Sequence, residues 1–314
     1  MSHDHSILVL GAGELGIAVL RSLVRRAVSE PGVSLSVLLR SSTIDSSEPA
    51  KQKDIAELRS LNIALLPGDL AGQSEASLAD VFRRFDTVIS CTGFVGGKGV
   101  QLKIARAVLA AGVKRYFPWQ FGVDYDVIGR GSAQDLFDEQ LDVRDLLRSQ
   151  DQMEWVIVST GMFTSFLFEP SFGVVDLELN TVHALGGWDN AVTVTTAGDI
   201  GRLTTEIVFA APRIAGQIVY VAGDTVTYRQ LADAVDATLG LKVRRVEWSV
   251  PQLTGELAQE PGNAIRKYRV VFAEGTGVAW NKDQTFNAQR GIAVCGLEDW
   301  MRENLLTEAN ALLQ

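Results

Sequence analysis

The chain predicts an α/β fold: a doubly wound parallel sheet accompanied by a smaller, mostly helical lobe. Three observations lead there. Short apolar runs alternate with longer amphipathic stretches through the first half, which is the rhythm of βαβ units. That rhythm stops after Gly161, where a Phe- and Gly-rich stretch begins. The length, 314 residues, accommodates one large α/β unit or a main domain with a lobe, at roughly 100–200 residues per domain.

The elements follow in order. Residues 7–10 form a strand, and 14–27 a helix with Leu15, Val19, Leu20 and Leu23 at helical spacing. A second strand, 34–39, ends at Arg40. Helix 51–61 leads to strand 63–66, closed by Pro67-Gly68. Helix 77–85, strand 87–90 and helix 100–111 come next, the last stopped by Gly112. Strand 114–117, helix 134–149 and strand 155–159 complete the regular part. Residues 162–190 show no repeating unit. Beyond them, 193–211 reads as a strand end and a helix, 218–222 as a strand and 227–239 as an amphipathic helix. The remainder, 242–314, reads as mostly helical, most clearly over 298–313.

Composition narrows the function. Hydrophobic residues are 46% and charged residues 21%, the balance of a globular protein. A chain of this size buries roughly three quarters of its unfolded surface, so it needs no disulfide or metal staple. Lys+Arg 29 against Asp+Glu 38 gives a net charge of −9. Nucleic-acid binders carry a basic field, and the basic pairs here (Arg25-Arg26, Arg83-Arg84, Arg244-Arg245) read as solvated element ends. No nucleic acid is expected as a partner. Cys91 and Cys295 give neither a disulfide framework nor zinc spacing, so no metal site is expected. The apolar run 7–10 is too short for a signal sequence or membrane span. A soluble, cytoplasmic protein is expected, and the sequence leaves monomer and homodimer open.

Gly11-Ala12-Gly13-Glu14-Leu15-Gly16 fits G-x-G-x-x-G, between a predicted strand and a predicted helix. In that context the first glycine allows the tight turn, the second lets backbone approach a pyrophosphate, and the third lets helix and strand pack closely. The pyrophosphate then rests on the helix amino terminus, against the N–H groups of Glu14 and Leu15. The reading is a Rossmann domain over 1–160, rejoined by 191–240, with a substrate lobe from 161–190 and 241–314. NAD sites place an acid at the end of the second strand. Here Arg40-Ser41-Ser42-Thr43 stands instead, with no acid before Asp45. A guanidinium and hydroxyls suit a 2′-phosphate, with Lys51 and Lys53 nearby to add charge. NADP(H) is the expected cofactor. Cys91, Thr92, Gly93 and Phe94 end the fourth strand, where a Rossmann sheet faces its ligand, and Gly161 follows the sixth.

Catalytic motifs are scarce. There is no Tyr-x-x-x-Lys, Gly-x-Ser-x-Gly or His-Glu-x-x-His. His3 and His5 lie in an amino-terminal segment read as disordered, leaving His183 as the only histidine placed to serve a substrate.

Lys114-Arg115-Tyr116-Phe117-Pro118-Trp119-Gln120-Phe121-Gly122-Val123-Asp124 resembles the K-R-F-x-P-S-E-F-G-x-D segment of the isoflavone reductase-like proteins. With the NmrA-like proteins, these belong to the atypical short-chain dehydrogenases. The glycine loop, Arg40, Phe137-Asp138-Glu139-x-x-x-Val143-Arg144 and Asp199-Ile200-Gly201 keep the same order, so the resemblance spans 7–222. It implies a Rossmann domain, NADPH and reduction of an apolar aromatic, alkaloid-like or polyketide-like small molecule. Two departures stand out. The family pattern F-x-x-K-x-x-V-R carries a proposed general acid/base Lys, and this chain has Gln140 there, which cannot titrate near neutral pH. Trp119-Gln120 replaces Ser-Glu, with Gln120 counted among the cofactor contacts.

Three readings stay open: net reduction, a redox-neutral isomerisation using bound NADP(H), and dinucleotide sensing without turnover. The candidate catalytic residues are Gln140, Tyr125, Asp124, Glu139 and His183. Trp119, Phe121, Met162, Phe163 and Trp188 are the candidate substrate-binding residues, apolar groups suited to a small-molecule pocket.

Overall fold

The computed structural model describes residues 5–94 and 96–306. It divides into two compact units. One comprises the chain up to Gln120 with Glu139–Val158 and Ile200–Val219; the other comprises Phe121–Asp138, Ser159–Asp199 and the chain from Tyr220 onward. Relative to the limits read from the sequence, 121–138, 159–160, 191–199 and 220–240 group with the second unit.

The strands, in chain order, are β1 (His5–Leu10), β2 (Val33–Leu39), β3 (Ala64–Pro67), β4 (Thr87–Ser90), β5 (Arg115–Phe117), β6 (Glu154–Ser159) and β7 (Met162–Phe163). They continue with β8 (Val175–Asp176), β9 (Thr181–Leu185), β10 (Ala191–Thr195), β11 (Gln217–Tyr220), β12 (Asp224–Thr227) and β13 (Arg244–Trp248).

The first unit is built on a seven-stranded sheet in the order β11-β6-β5-β4-β1-β2-β3. β1 runs parallel to both β2 and β4, β2 to β3, β4 to β5, and β5 to β6. Ile7, Leu8, Val9 and Leu10 are fully buried, as a central parallel strand covered on both faces requires. The helix Glu14–Ala27 buries Leu15, Val19, Leu20 and Leu23, the stripe its spacing predicts. The strand order reverses between β1 and β4, which opens a crevice at their carboxyl ends. Leu10 lies level with Leu38 on one side and Ser90 on the other, so the loops leaving β1, β2 and β4 start at one height.

Two motif residues have structural explanations here. A Cβ on Gly201, in the helix Ala197–Val208, would lie 2.5 Å from the Ala18 carbonyl carbon, so only glycine lets that helix approach. Arg115 is 1% exposed and donates to the carbonyls of Val208 (2.6 Å), Ile207 (3.3 Å) and Ile214 (2.7 Å). It thereby satisfies acceptors that a helix carboxyl end leaves open.

The second unit adds two three-stranded sheets to its helices, β12-β10-β7 and β13-β9-β8. The Phe- and Gly-rich stretch therefore contains β7, β8 and β9. β13 lies where the sequence reads as helical; its Arg-Arg-Val-Glu-Trp run is mostly charged and gives no strand signal without its partner β9. The helix Tyr228–Leu239 starts on a capping box formed by Thr227 and Gln230. The helix expected over 298–313 corresponds to Leu297–Met301 and a π-helical turn, Arg302–Leu306; its remaining positions lie outside the described residues. His5 corrects another expectation. It belongs to β1, with Nε2 2.9 Å from the Thr87 hydroxyl, because β1 pairs with β2 from its first residue. His3 lies outside the described residues. No helix among the described residues is long and apolar enough to cross a membrane.

Candidate functional site

A cavity of about 330 Å³ lies in the first unit at the carboxyl ends of its strands. Gly11, Ala12 and Gly13 form one wall; Leu38, Leu39, Arg40 and Thr43 form a second. Residues 68–71 close it after β3, and Cys91, Thr92, Gly96 and Val100 after β4.

Each glycine of the loop has its own reason. Gly11 adopts φ +88°, and a Cβ there would press on the Cys91 carbonyl at 3.3 Å. A Cβ on Gly16 would stand 2.2 Å from the Gly11 carbonyl oxygen. Gly13 is different: a Cβ there would meet nothing within 4 Å. Gly13 is the N-cap of Glu14–Ala27, and no side chain caps that helix. Its first turn thus presents N–H groups and the positive end of its dipole beside open space. Glu14 is exposed and Leu15 buried, so Leu15 offers a ligand only its backbone.

Arg40 is exposed at the start of the one-turn helix Ser41–Ile44, and its guanidinium makes no ion pair among the described residues. Ser41 and Ser42 sit on that turn, exposed and off the cavity wall, whereas Thr43 is on the wall. Lys51 is also off the wall: its ammonium pairs with Glu48 at 2.6 Å, which answers its charge locally. Cys91 is buried, and burial pushes its thiol pKa well up, so it serves as wall and not as nucleophile. Gln101 fixes the loop after β4 by donating to the Gly93 carbonyl at 2.6 Å and the Thr92 hydroxyl at 3.3 Å. Phe94 lies edge-on to Trp119, centroids 6.3 Å apart.

Gln140, on the helix Leu136–Arg148, is fully buried, and neither atom of its side-chain amide has a hydrogen-bond partner among the described residues. Gln120, expected at the cofactor, is instead buried inside the unit. Its amide donates to the Gln140 carbonyl at 2.8 Å and accepts from Arg144 Nε at 2.7 Å. Glu139, expected among the catalytic groups, is a cap. Its carboxylate accepts from the N–H groups of Gly99 (2.7 Å) and Leu102 (3.0 Å), at the start of Val100–Ala110.

In the second unit, Asp124 caps the short helix Tyr125–Ile128 and accepts from the Tyr220 hydroxyl at 2.6 Å. Tyr125 is buried edge-on to Phe137 at 4.9 Å. His183, expected to serve a substrate, is a core residue of β9. Its Nδ1 lies 2.7 Å from the Gly173 carbonyl and its ring stacks on Trp248 at 3.9 Å. Burial pulls its pKa below the usual histidine value. Gly161 has φ +71°, and a Cβ there would fall 2.1 Å from the Thr193 carbonyl, so a neighbouring strand accounts for the glycine. Phe121 and Met162 are buried; Phe163 and Trp188 are half-buried.

Of the expected cofactor residues, the fold therefore gathers Gly11, Gly13, Arg40, Cys91 and Thr92 around one cavity. Thr43, read with Arg40 as part of the 2′-phosphate set, also lines it, as do Gly68, Asp69, Leu70, Ala71, Gly96 and Val100, which the sequence does not single out. Their signal is position: nearly all follow the carboxyl end of a predicted strand. Among the described residues, no group of three His, Cys, Asp or Glu side chains comes together that suits a metal ion.

Residues 3–288 match the NmrA-like family. The chain belongs to that family. This NmrA-like protein is 49% identical over 299 residues to an NmrA-like family domain-containing oxidoreductase of Gibberella moniliformis, covering 95% of this chain and 97% of the relative. It is 26% identical to the phenylcoumaran benzylic ether reductase Betv6 of Betula pendula, over 83% of each chain. The leucoanthocyanidin reductase of Vitis vinifera, solved as a binary complex with NADPH, superposes with a TM-score of 0.76 at 17% identity, covering 95% of this chain and 98% of that one. The family agrees with the resemblance carried by residues 114–124, and the likeness to solved structures supports the Rossmann-type sheet.

Proposed function

We propose that this NmrA-like protein is an NADPH-dependent oxidoreductase that reduces an apolar aromatic, alkaloid-like or polyketide-like small molecule. The observation that carries the reading is the cavity at an uncapped helix start, walled on one side by Gly13 and on another by the unpaired Arg40. Those residues fit a dinucleotide. The N–H groups after Gly13 would hold its pyrophosphate, and Arg40, with Thr43, would hold the 2′-phosphate of an NADP. When bound, the cofactor supplies a hydride.

The chain's own part is to bind, orient and desolvate. The Gln140 amide is fully buried and lies off the cavity wall. It supplies no proton, so the proton of a net reduction comes from water or another side chain. The relatives named as an oxidoreductase and as a benzylic ether reductase support this reading. A second reading, redox-neutral rearrangement or dinucleotide sensing, is favoured by one feature: an untitratable amide stands at residue 140, where the resemblance expects Lys.

The cofactor assignment is tested by calorimetric titration with NADPH and NADH. Losing charge-assisted hydrogen bonds costs about 1.5–3 kcal/mol, or roughly 10- to 100-fold in affinity. NADPH is expected to bind more tightly by that factor, and Arg40→Ala to remove the preference. Equal affinity, or a preference for NADH, rejects Arg40 as a 2′-phosphate site.

A further inference from the structure

The cavity wall that follows β3 is a turn that closes on itself. The Gln73 N–H donates to the Asp69 carbonyl at 2.9 Å, and the Gln73 side chain accepts from the Asp69 N–H at 2.9 Å. The Ala71 N–H donates to the Asp69 carboxylate at 3.0 Å. A Cβ on Gly72 would stand 2.5 Å from that carboxylate, so the turn is tight as well as bonded. Asp69, Leu70 and Ala71 are its cavity-lining residues.

Among the described residues, the hydrogen bonds that tie this turn to another element come from Lys103. Its ammonium donates to the carbonyls of Ala71 (2.8 Å) and Gln73 (3.0 Å), while Leu70 packs on the apolar core. No carboxylate pairs with Lys103 among the described residues, and Lys103 does not line the cavity. Two of its three donors therefore hold the wall, through charge-assisted bonds. The ammonium also reaches out from a fixed point. The helix Val100–Ala110 starts on the Glu139 carboxylate, and Gln101 in its first turn donates to the Gly93 carbonyl at 2.6 Å. One helical turn thus holds the loop after β4 through Gln101 and the turn after β3 through Lys103.

We propose that Lys103 is a positioning residue for the dinucleotide, holding the turn 69–73 where the adenosine half requires it. β3 lies beside β2 with Leu39 level with Pro67, so this turn flanks the end of the cavity that carries Arg40. The inference rests on the cofactor site of the reading above and adds to it a residue that touches no ligand. A turn free to swing is competent for only part of the time, and affinity falls by that fraction.

Lys103→Met keeps the apolar stem and removes the ammonium. Calorimetric titration of wild type and variant with NADPH and with adenosine 2′,5′-bisphosphate, the adenosine half alone, tests the proposal. Both ligands are expected to bind the variant about 3- to 10-fold more weakly, by the same factor. That factor is expected to persist at about 0.5 M salt, where the Debye length is about 4 Å and a remote charge is screened. Unchanged affinities, the result of a purely structural role, overturn the proposal. So does a weakening that disappears in high salt, which makes Lys103 a distant charge. So does a loss confined to NADPH, or a wild type that binds NADPH but not the bisphosphate, since either places the effect away from the turn. Failure of the wild type to bind NADPH overturns the cofactor reading and this proposal together, and the wild type alone reveals it.

Discussion

Gly13→Asp is expected to weaken NADPH binding about a hundredfold or more while leaving the melting temperature within about 2 °C of the wild type. The two halves of this result have separate causes. Gly13 has φ −76° and ψ −166°, extended backbone open to any residue, and a Cβ there meets nothing within 4 Å. The fold therefore accepts the side chain. Aspartate is a favoured N-cap, within a few tenths of a kcal/mol of glycine, and no side chain caps this helix now. A bound phosphate, however, would face a carboxylate at the one spot the loop keeps empty. At about 5 Å and an effective dielectric of 20, that repulsion is about 3 kcal/mol per unit charge, or roughly a hundredfold in affinity. Gly16 offers no such separation, since its Cβ would collide with the Gly11 carbonyl oxygen at 2.2 Å. Fluorescence titration and a thermal melt on one preparation check both halves. Wild-type affinity for NADPH in Gly13→Asp removes the pyrophosphate from this helix.

Arg115→Met is expected to destabilise the protein by about 2–6 kcal/mol, measured by urea denaturation. The guanidinium is buried, donates to three carbonyls and lies over the Phe117 ring at 4.9 Å. Glu154 approaches it only to 3.9 Å, so backbone acceptors, not an ion pair, hold it in place. Burial pulls its pKa down to about 10, which still leaves it charged at pH 7. Methionine fills much of the volume but leaves the carbonyls of Val208 and Ile214 without this donor, whereas the Ile207 carbonyl keeps the Ala210 N–H at 3.4 Å; unpaired buried groups cost about 1–3 kcal/mol each. Arg115→Lys is expected to recover only part of the loss, because an ammonium lacks the planar fork that reaches several acceptors. A loss under about 1 kcal/mol contradicts this account of the residue.

These two positions show what was legible in the sequence. The loop 11–16 declares itself because its demands are local: a turn at Gly11 and a close approach at Gly16, both between neighbouring elements. The alternation of strands and helices is equally local, and the seven-stranded sheet follows it. Residues whose roles depend on distant partners are not legible in this way. Glu139 stands beside Gln140 and looks catalytic until Gly99, 40 residues away, is seen to donate to it. His183 carries no sign in the sequence that Trp248, 65 positions on, stacks on its ring. Gly161 looked like a backbone approach to a ligand, whereas the approaching backbone is that of Thr193. Asp69 and Gly96 reach the cavity only because the strand order sets β3 and β4 on either side of β1 and β2. Arg115 and Gly201 sit within the motifs that carry the family resemblance, yet both act in packing. A family motif thus mixes residues that shape the site with residues that hold up the sheet.

Net hydride transfer is the claim on which the rest depends. It is tested by incubating the protein with NADPH deuterated at C4 of the nicotinamide and a panel of aromatic carbonyl, enone and benzylic ether compounds, then weighing the products. The account predicts a reduced product that retains deuterium on carbon, with one NADPH oxidised for each molecule formed. An unlabelled isomer, or no product and no oxidation of NADPH across the panel, contradicts it.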